Sequence, residues 1–241
     1  MILSFKQVTK QYSEFETAVK DVSFDIQPGE FTALAGPSGS GKSTLLNLAA
    51  GLDFSTSGSV TLLDKDLSQL NKEELSALRC NHVGFVFQSY NLFPVLTALE
   101  NVEYPLALKG IGTKERKRLS KKALSETGCE GLENRLPSEL SGGQQQRVAV
   151  ARAIVSSPSI VFADEPTANL DSKTAHQLLE VFKALNKNKN ITFLFSSHDP
   201  RVLETAERII QVADGKVHQE QLKSVSKKSP SFLPLFSPYY S

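Results

Sequence analysis

Apolar and polar residues alternate with period two over residues 3–9 (LSFKQVT) and 22–26 (VSFDI), which predicts two half-buried strands near the N-terminus. A Pro-Gly-Glu turn then leads into the apolar run 31–36 (FTALAG), the pattern of a buried strand that feeds a glycine loop. Residues 43–52 (STLLNLAAGL) have helical character and stop near Gly51, and residues 57–63 (SGSVTLL) return to strand. Asn71 with Glu74 three positions on is an N-cap signal for a helix carrying Leu75 and Leu78, after which residues 82–88 (HVGFVFQ) read as strand.

From about residue 92 the character changes. Strand runs disappear, Thr97 and Thr113 are plausible helix starts, and charged residues interleave with Leu and Ala. This predicts an inserted helical subdomain over about residues 92–157. From residue 142 onward, helix, strand, helix and strand alternate through residues 142–157, 159–164, 172–187 and 191–198, which argues for a mostly parallel sheet with helices on its faces. Residues 208–220 (RIIQVADGKVHQE) resemble a closing hairpin around Asp214-Gly215. The expected fold is α/β: one domain over residues 1–218, then a flexible Ser- and Pro-rich tail over 219–241.

Charge and composition narrow the function. Lysine and arginine number 27 against 26 acidic residues, so the formal net charge of +1 gives no global basic field for counterion release, and no direct nucleic-acid partner is expected. One basic stretch, residues 109–124 (KGIGTKERKRLSKKAL), suits either a solvated helix face or a surface near anionic headgroups. Cys80 and Cys129 match neither a zinc spacing nor a disulfide framework, and a reducing setting is expected. Neither an export signal nor about 18 consecutive apolar residues is visible, so any membrane role needs another polypeptide to span the bilayer.

Three motifs carry chemistry. Gly36-Pro37-Ser38-Gly39-Ser40-Gly41-Lys42-Ser43-Thr44 fits G-x-x-x-x-G-K-[ST] between a buried strand and a helix, where glycines let backbone N–H groups converge on phosphate oxygens. Lys42 is placed to reach the β- and γ-phosphates and Ser43 to ligate Mg²⁺. A second apolar run ends in adjacent carboxylates: Asp164 suits the Mg²⁺ shell, and Glu165 suits orienting or deprotonating an attacking water. Leu140-Ser141-Gly142-Gly143-Gln144 reads as a capping box opening a helix and equally as a second anion site, which one nucleotide at the first loop would leave unused. A second copy of the chain resolves that excess, each Ser141-Gly142-Gly143 closing over the γ-phosphate held by the other copy.

With these motifs in this order, the chain resembles an ABC nucleotide-binding domain of the P-loop NTPase class over roughly residues 3–217. The resemblance implies an N-terminal antiparallel β subdomain, ATP and Mg²⁺ as ligands, ATP hydrolysis, a second ATP-binding subunit and integral membrane permease subunits. It matches Tyr12 to an aromatic that stacks on adenine, although by itself Tyr12 reads equally as an edge-strand aromatic. It also matches Gln88 to a glutamine that senses Mg²⁺ and the γ-phosphate, Asp171 to a loop crossing the dimer interface, and His198 to a histidine that contacts the γ-phosphate; a lone histidine after an apolar strand is otherwise usually structural. The runs around Gly36, Gln88 and Asp164 are similar to the lipoprotein-release, macrolide-export and cell-division branch, whose members pair with a separate permease at the cytoplasmic face of the membrane. Two departures are local: Ala168 stands where that branch commonly has Gly, and Ser197 where Thr commonly precedes the histidine. A soluble ABC ATPase acting on DNA or ribosomes is the rival reading, and this chain shows neither the long coiled coil, the doubled cassette nor the cysteine clusters of such proteins.

Overall fold

The computed structural model describes residues 1–222. Strands β1 (Leu3–Ser13), β2 (Glu16–Ile26), β4 (Ser57–Leu62) and β5 (Lys65–Asp66) form an antiparallel sheet in the order β2-β1-β4-β5. A second sheet, ordered β10-β9-β3-β8-β7-β6, contains β3 (Phe31–Ala35), β6 (Val83–Val86), β7 (Ile160–Asp164), β8 (Thr192–Ser197), β9 (Arg208–Ala213) and β10 (Lys216–Leu222). Every pairing in it is parallel except β9 with β10. All residues of β3 and β8 are buried, as expected of central parallel strands covered on both faces.

Helix α1 (Lys42–Ala49) lies between the two sheets. Leu45, Leu46 and Leu48 pack with Phe5 and Phe24 of the antiparallel sheet and with Leu34, Phe162 and Leu194 of the parallel one. Phe5 and Phe24 stack with centroids 4.6 Å apart. On the opposite face of the large sheet, α6 (Ser172–Lys189) buries Leu178, Leu179 and Phe182 against Phe31, Phe193 and Phe195. Helices α3 (Ala98–Leu108), α4 (Thr113–Glu126) and α5 (Gly142–Ile154) build a third apolar cluster around Val102, Leu106, Leu124 and Val148. Val150 and Ile154 of α5 also reach the second cluster, so this helix ties the helical subdomain to the sheet.

The expected elements appear with instructive differences. Asn71 and Glu74 form the expected reciprocal cap at the start of α2 (Lys72–His82), and Thr97 does the same with Glu100 for α3. Thr113, the other expected helix start, is the first helical residue of α4 after Gly112, and no side chain caps that end. In the basic stretch Arg116 pairs with Glu103 and Arg118 with Glu115. Strands β1 and β2 run well past the expected segments into a hairpin, because pairing continues where the polar alternation fades. Asp214 and Gly215 both have positive φ, as a two-residue hairpin turn demands. Strand β10 pairs as far as Leu222, so residues 219–222 belong to the sheet and not to the expected tail, because they extend the ladder with β9. The rest of that tail lies outside the described residues.

One buried amide organises the entry to the helical subdomain. Asn101 is fully buried; its Oδ1 accepts from Phe93 N at 2.8 Å, and its Nδ2 donates to Phe93 O, Leu96 O and Thr97 O. Asn101→Ala removes the partners of Phe93 N and Leu96 O, while Phe93 O keeps Leu96 N and Thr97 O keeps the backbone N–H of residue 101, and it is expected to lower unfolding stability by about 2–4 kcal/mol in urea titration.

Candidate active site

The phosphate-loop residues Gly36 to Thr44 join the C-terminal end of β3 to α1. Their glycines answer two close backbone approaches. A Cβ on Gly36 would stand 2.0 Å from the Val212 carbonyl oxygen of β9. At Gly41, where φ is 101°, a Cβ would stand 2.5 Å from the Ala18 carbonyl oxygen of β2. Pro37, Ser38 and Gly39 face solvent while Ser40 is buried, its carbonyl accepting from Gly215 N at 3.1 Å. Lys42 is buried and donates to Gly36 O and Pro37 O, both at 2.8 Å, so the ammonium is held over the cradle by loop carbonyls. No acidic side chain occupies the first turn of α1, and its positive end is left for an anion.

Strand β7 carries Asp164 to the same edge, where the Ser43 hydroxyl donates to Asp164 Oδ1 at 3.0 Å. Two hard oxygens from different elements suit Mg²⁺, which keeps water and substrate oxygens in its shell. Among the described residues no group of three or more His, Cys, Asp or Glu could hold a metal alone. Such an ion would therefore be completed by phosphate and water.

Glu165 follows with φ of 43°, in the left-handed region, and its N–H donates to Ser196 O. This local turn sends its carboxylate across β8: Ser197 Oγ donates to Oε2 at 3.1 Å, and Oε1 lies 2.7 Å from His198 Nδ1. A carboxylate can only accept, so Nδ1 carries the proton and the exposed ring presents Nε2. Ser197, in the place of the commoner Thr, supplies the hydroxyl all the same. Beyond it, Thr167 Oγ1 donates to Asp199 Oδ2 at 2.6 Å, and Arg201 grips the same carboxylate through Nε and Nη2. Asp199 also caps α7 (Pro200–Thr205), a short helix unread from the pattern although Asp before Pro is a start signal.

Ser141 caps α5 with the expected reciprocal pair, Gln144 N to Ser141 Oγ at 3.3 Å and Ser141 N to Gln144 Oε1 at 2.9 Å. Gly143 is buried where a Cβ would meet Thr174 Cγ2 at 2.2 Å, and a Cβ on Gly142 would meet the Tyr90 hydroxyl at 2.9 Å. Asp171 caps α6 through Lys173 N and Thr174 N and accepts from Thr174 Oγ1 at 2.6 Å, hydrogen bonds that hold its carboxyl below the usual range. Leu140 to Gln144, the signature segment, thus sit beside Asp171. No hydrogen bond or ion pair joins residues 141–144 to residues 36–44 among the described residues.

Gln88, exposed just past β6, accepts at its carbonyl from Asn169 Nδ2 at 3.2 Å. The next turn, with Tyr90 and Asn91 both at positive φ, is held by Arg152 of α5, which donates to Tyr90 O and Asn91 O. Tyr12 is half-exposed on β1, paired near residues 16–17 of β2 and so close to Ala18, which touches the phosphate loop. The groups unread from the sequence are Thr167, Asn169, Arg152 and Asp199. Only Asp199 had a local signal; the others act across long stretches of chain.

Asp199 has a pH signature. Burial pushes its carboxyl up, but the Arg201 guanidinium and the Thr167 hydroxyl outweigh that and hold it at about 2. A carboxyl depressed in the folded state stabilises fully above its unfolded value near ~3.9, and that contribution is lost as pH falls through about 2. Asp199→Asn is therefore expected to cost about 2 kcal/mol at neutral pH. The difference from wild type should shrink below about pH 4 in urea unfolding followed by circular dichroism.

Comparison with known proteins shows the family. The family model described as ABC transporter matches residues 19–168. The ABC transporter ATP-binding protein YtrE of Bacillus subtilis is 46% identical over 86% of this chain and 90% of its own length. The macrolide export ATP-binding/permease protein MacB of Syntrophobacter fumaroxidans is 41% identical over 95% of this chain, which spans only 34% of that protein. A dimeric post-hydrolysis state of the cassette MJ0796 bound to ADP and Pi, from Methanocaldococcus jannaschii, matches with a TM-score of 0.85 and 42% identity, covering 92% of this chain and 98% of that one. On the joint evidence of its site, its fold and these relatives, the chain belongs to the ABC transporter family and is an ATP-binding subunit with ATPase activity.

Proposed function

We propose that the chain binds ATP with Mg²⁺ at residues 36–44, hydrolyses it at a site completed by the signature of a second copy, and so powers a separate membrane permease of the lipoprotein-release or macrolide-export type. The observation that carries this reading is the separation of two anion-ready helix ends within one chain. The α1 end lies among Lys42, Asp164, Glu165 and His198, whereas the α5 end, with Ser141 exposed, lies beside Asp171. The dimeric ADP-bound cassette MJ0796 supports two copies and a nucleotide at this kind of site.

Within such a site, Lys42 exchanges its loop carbonyls for β- and γ-phosphate oxygens. Ser43 and Asp164 would hold Mg²⁺, with Gln88 reaching its shell; when bound, the ion neutralises charge on the phosphate oxygens. Glu165 orients the attacking water and takes its proton. His198, steered by Glu165 at Nδ1, offers Nε2 to the γ-phosphate, and Tyr12 provides an aromatic face for adenine. The partner's signature then supplies Ser141, Gly142, Gly143 and Gln144 from the opposite side.

Support for a permease comes from a groove of about 420 Å³ between α2, β6 and α3, whose lining includes Arg79, Phe85, Phe87, Tyr104 and Leu108. Tyr104 and Leu108 are exposed there, an apolar surface fit for a segment of a membrane subunit. No helix among the described residues is long and apolar enough to cross a membrane, so in this reading the chain is peripheral, held at the cytoplasmic face by the permease. The MacB resemblance supports the branch.

Glu165→Gln is expected to preserve ATP binding while slowing phosphate release by about 100-fold or more, and to accumulate a nucleotide-bound dimer in light scattering. Near-normal turnover would refute the general-base role. For Ser141→Arg, loss of the cap costs only about 1 kcal/mol. Monomer ATP binding should therefore survive in calorimetry while ATP-dependent dimerisation is abolished, and undiminished dimerisation would count against the shared site.

A further inference from the structure

Tyr12 has an environment unlike that of an ordinary edge aromatic. Its hydroxyl donates to Asp53 Oδ2 at 3.0 Å, and the Lys10 ammonium lies over one ring face, 4.8 Å from the centroid. The same ammonium donates to Asp53 Oδ1 at 2.6 Å and to Phe54 O at 2.9 Å. Asp53 Oδ1 also accepts from Phe54 N at 2.7 Å. Lys10 and Asp53 are largely covered, with side-chain exposures of 13% and 28%, whereas Tyr12 is 52% exposed. Two of the ring's three handles, its hydroxyl and one π face, are thus committed to protein, and the other face is left over.

Asp53 is itself anchored to the phosphate-loop helix. Leu52 N and Asp53 N both donate to Asn47 O, in the last turn of α1. Lys42 and Ser43 stand at the first turn of the same helix. On the other side, the β1–β2 register is irregular between Val8 and Lys10, Lys10 and Gln11, and Gln11 and Ser13, and such bulges re-aim side chains. One carboxylate therefore joins the irregular strand end that carries Tyr12 to the far end of the helix that begins the phosphate cradle. Burial alone would raise the Asp53 carboxyl, yet Lys10, Phe54 N–H and Tyr12 together hold it below the usual range, so it is ionised and able to accept from all three.

We propose that Lys10 and Asp53 are positioning residues for nucleotide binding: they lock the Tyr12 ring at a fixed distance from the phosphate loop, so that the base stacks on the face opposite the Lys10 ammonium. This inference rests on the reading of Tyr12 as the base-stacking residue. The lock spares the bound state the ordering of an exposed side chain, and the cation on the far face leaves one side of the ring for a flat ligand.

The test measures binding of ATP and of inorganic tripolyphosphate, which has no base, to the full chain by calorimetry. Tyr12→Ala is expected to weaken ATP by about tenfold, within the range of base–aromatic stacking, and to leave tripolyphosphate unchanged. Asp53→Ala should weaken ATP by roughly threefold to tenfold with tripolyphosphate unchanged, and should add nothing in a Tyr12→Ala background. Lys10→Met should behave like Asp53→Ala, with Lys10→Arg restoring most of the loss, which keeps the test open should Asp53→Ala misfold. Wild-type ATP affinity in Asp53→Ala and Lys10→Met, beside a loss in Tyr12→Ala, would overturn the lock and leave the stacking role standing. Equal losses for ATP and tripolyphosphate would make the pair merely structural. An unaffected Tyr12→Ala would remove the stacking role itself.

Discussion

Two backbone carbonyls press against the phosphate loop, Val212 O at Gly36 and Ala18 O at Gly41, and everything else at the site is arranged around that contact. No side chain fits at either place, so the loop is wedged between a strand of the parallel sheet and a strand of the antiparallel one. Helix α1 continues from the wedge into the apolar layer between the sheets, where Leu45, Leu46 and Leu48 are buried. The amide-rich end of the helix consequently stays at the surface, where Ser43 is exposed. Burial of the helix and exposure of its anion-binding end are a single packing solution.

The rim that carries the candidate site is built by neighbouring parallel strands. Adjacent β7 and β8 deliver Asp164, Glu165, Ser197 and His198 to one rim. The left-handed backbone at Glu165 turns its carboxylate toward β8 instead of along β7. Strain of this kind persists only where surroundings over-determine the conformation, and here Ser196 O, Ser197 Oγ and His198 Nδ1 do so. The Thr167–Asp199–Arg201 cluster then braces the segment after Glu165 against the segment after His198, so these two side chains are held as a pair.

The helical subdomain is connected to that rim by a few polar threads across α5. Arg152 holds the turn after Gln88, Asn169 holds Gln88 itself, and Gly143 lets α5 approach Thr174 and the Asp171 cap. Burial lowers the tendency of Arg152 to stay charged, and its two backbone carbonyl partners compensate. The turn after Gln88 is thus tied to α5 through Arg152, and Gln88 itself to the segment before Asp171 through Asn169.

Local pattern alone determined the order of strands and helices from β3 onward except the short β5 and α7, together with the phosphate loop, the paired carboxylates and the reciprocal caps at Asn71 and Ser141. Each is set by residues within a turn or a strand of one another, where period, glycine freedom and capping chemistry act directly. It left open whether Tyr12 and His198 were structural, and it ended the last strand short of Leu222. Only the tertiary structure decided that His198 meets Glu165, 33 residues away, that Arg152 holds the Gln88 turn from 61 and 62 residues away, and that Lys10 and Tyr12 share Asp53 across 43 and 41 residues. Such contacts depend on sheet register and on how closely buried layers pack. Residues far apart in the chain carry no mutual periodicity from which that packing could be read.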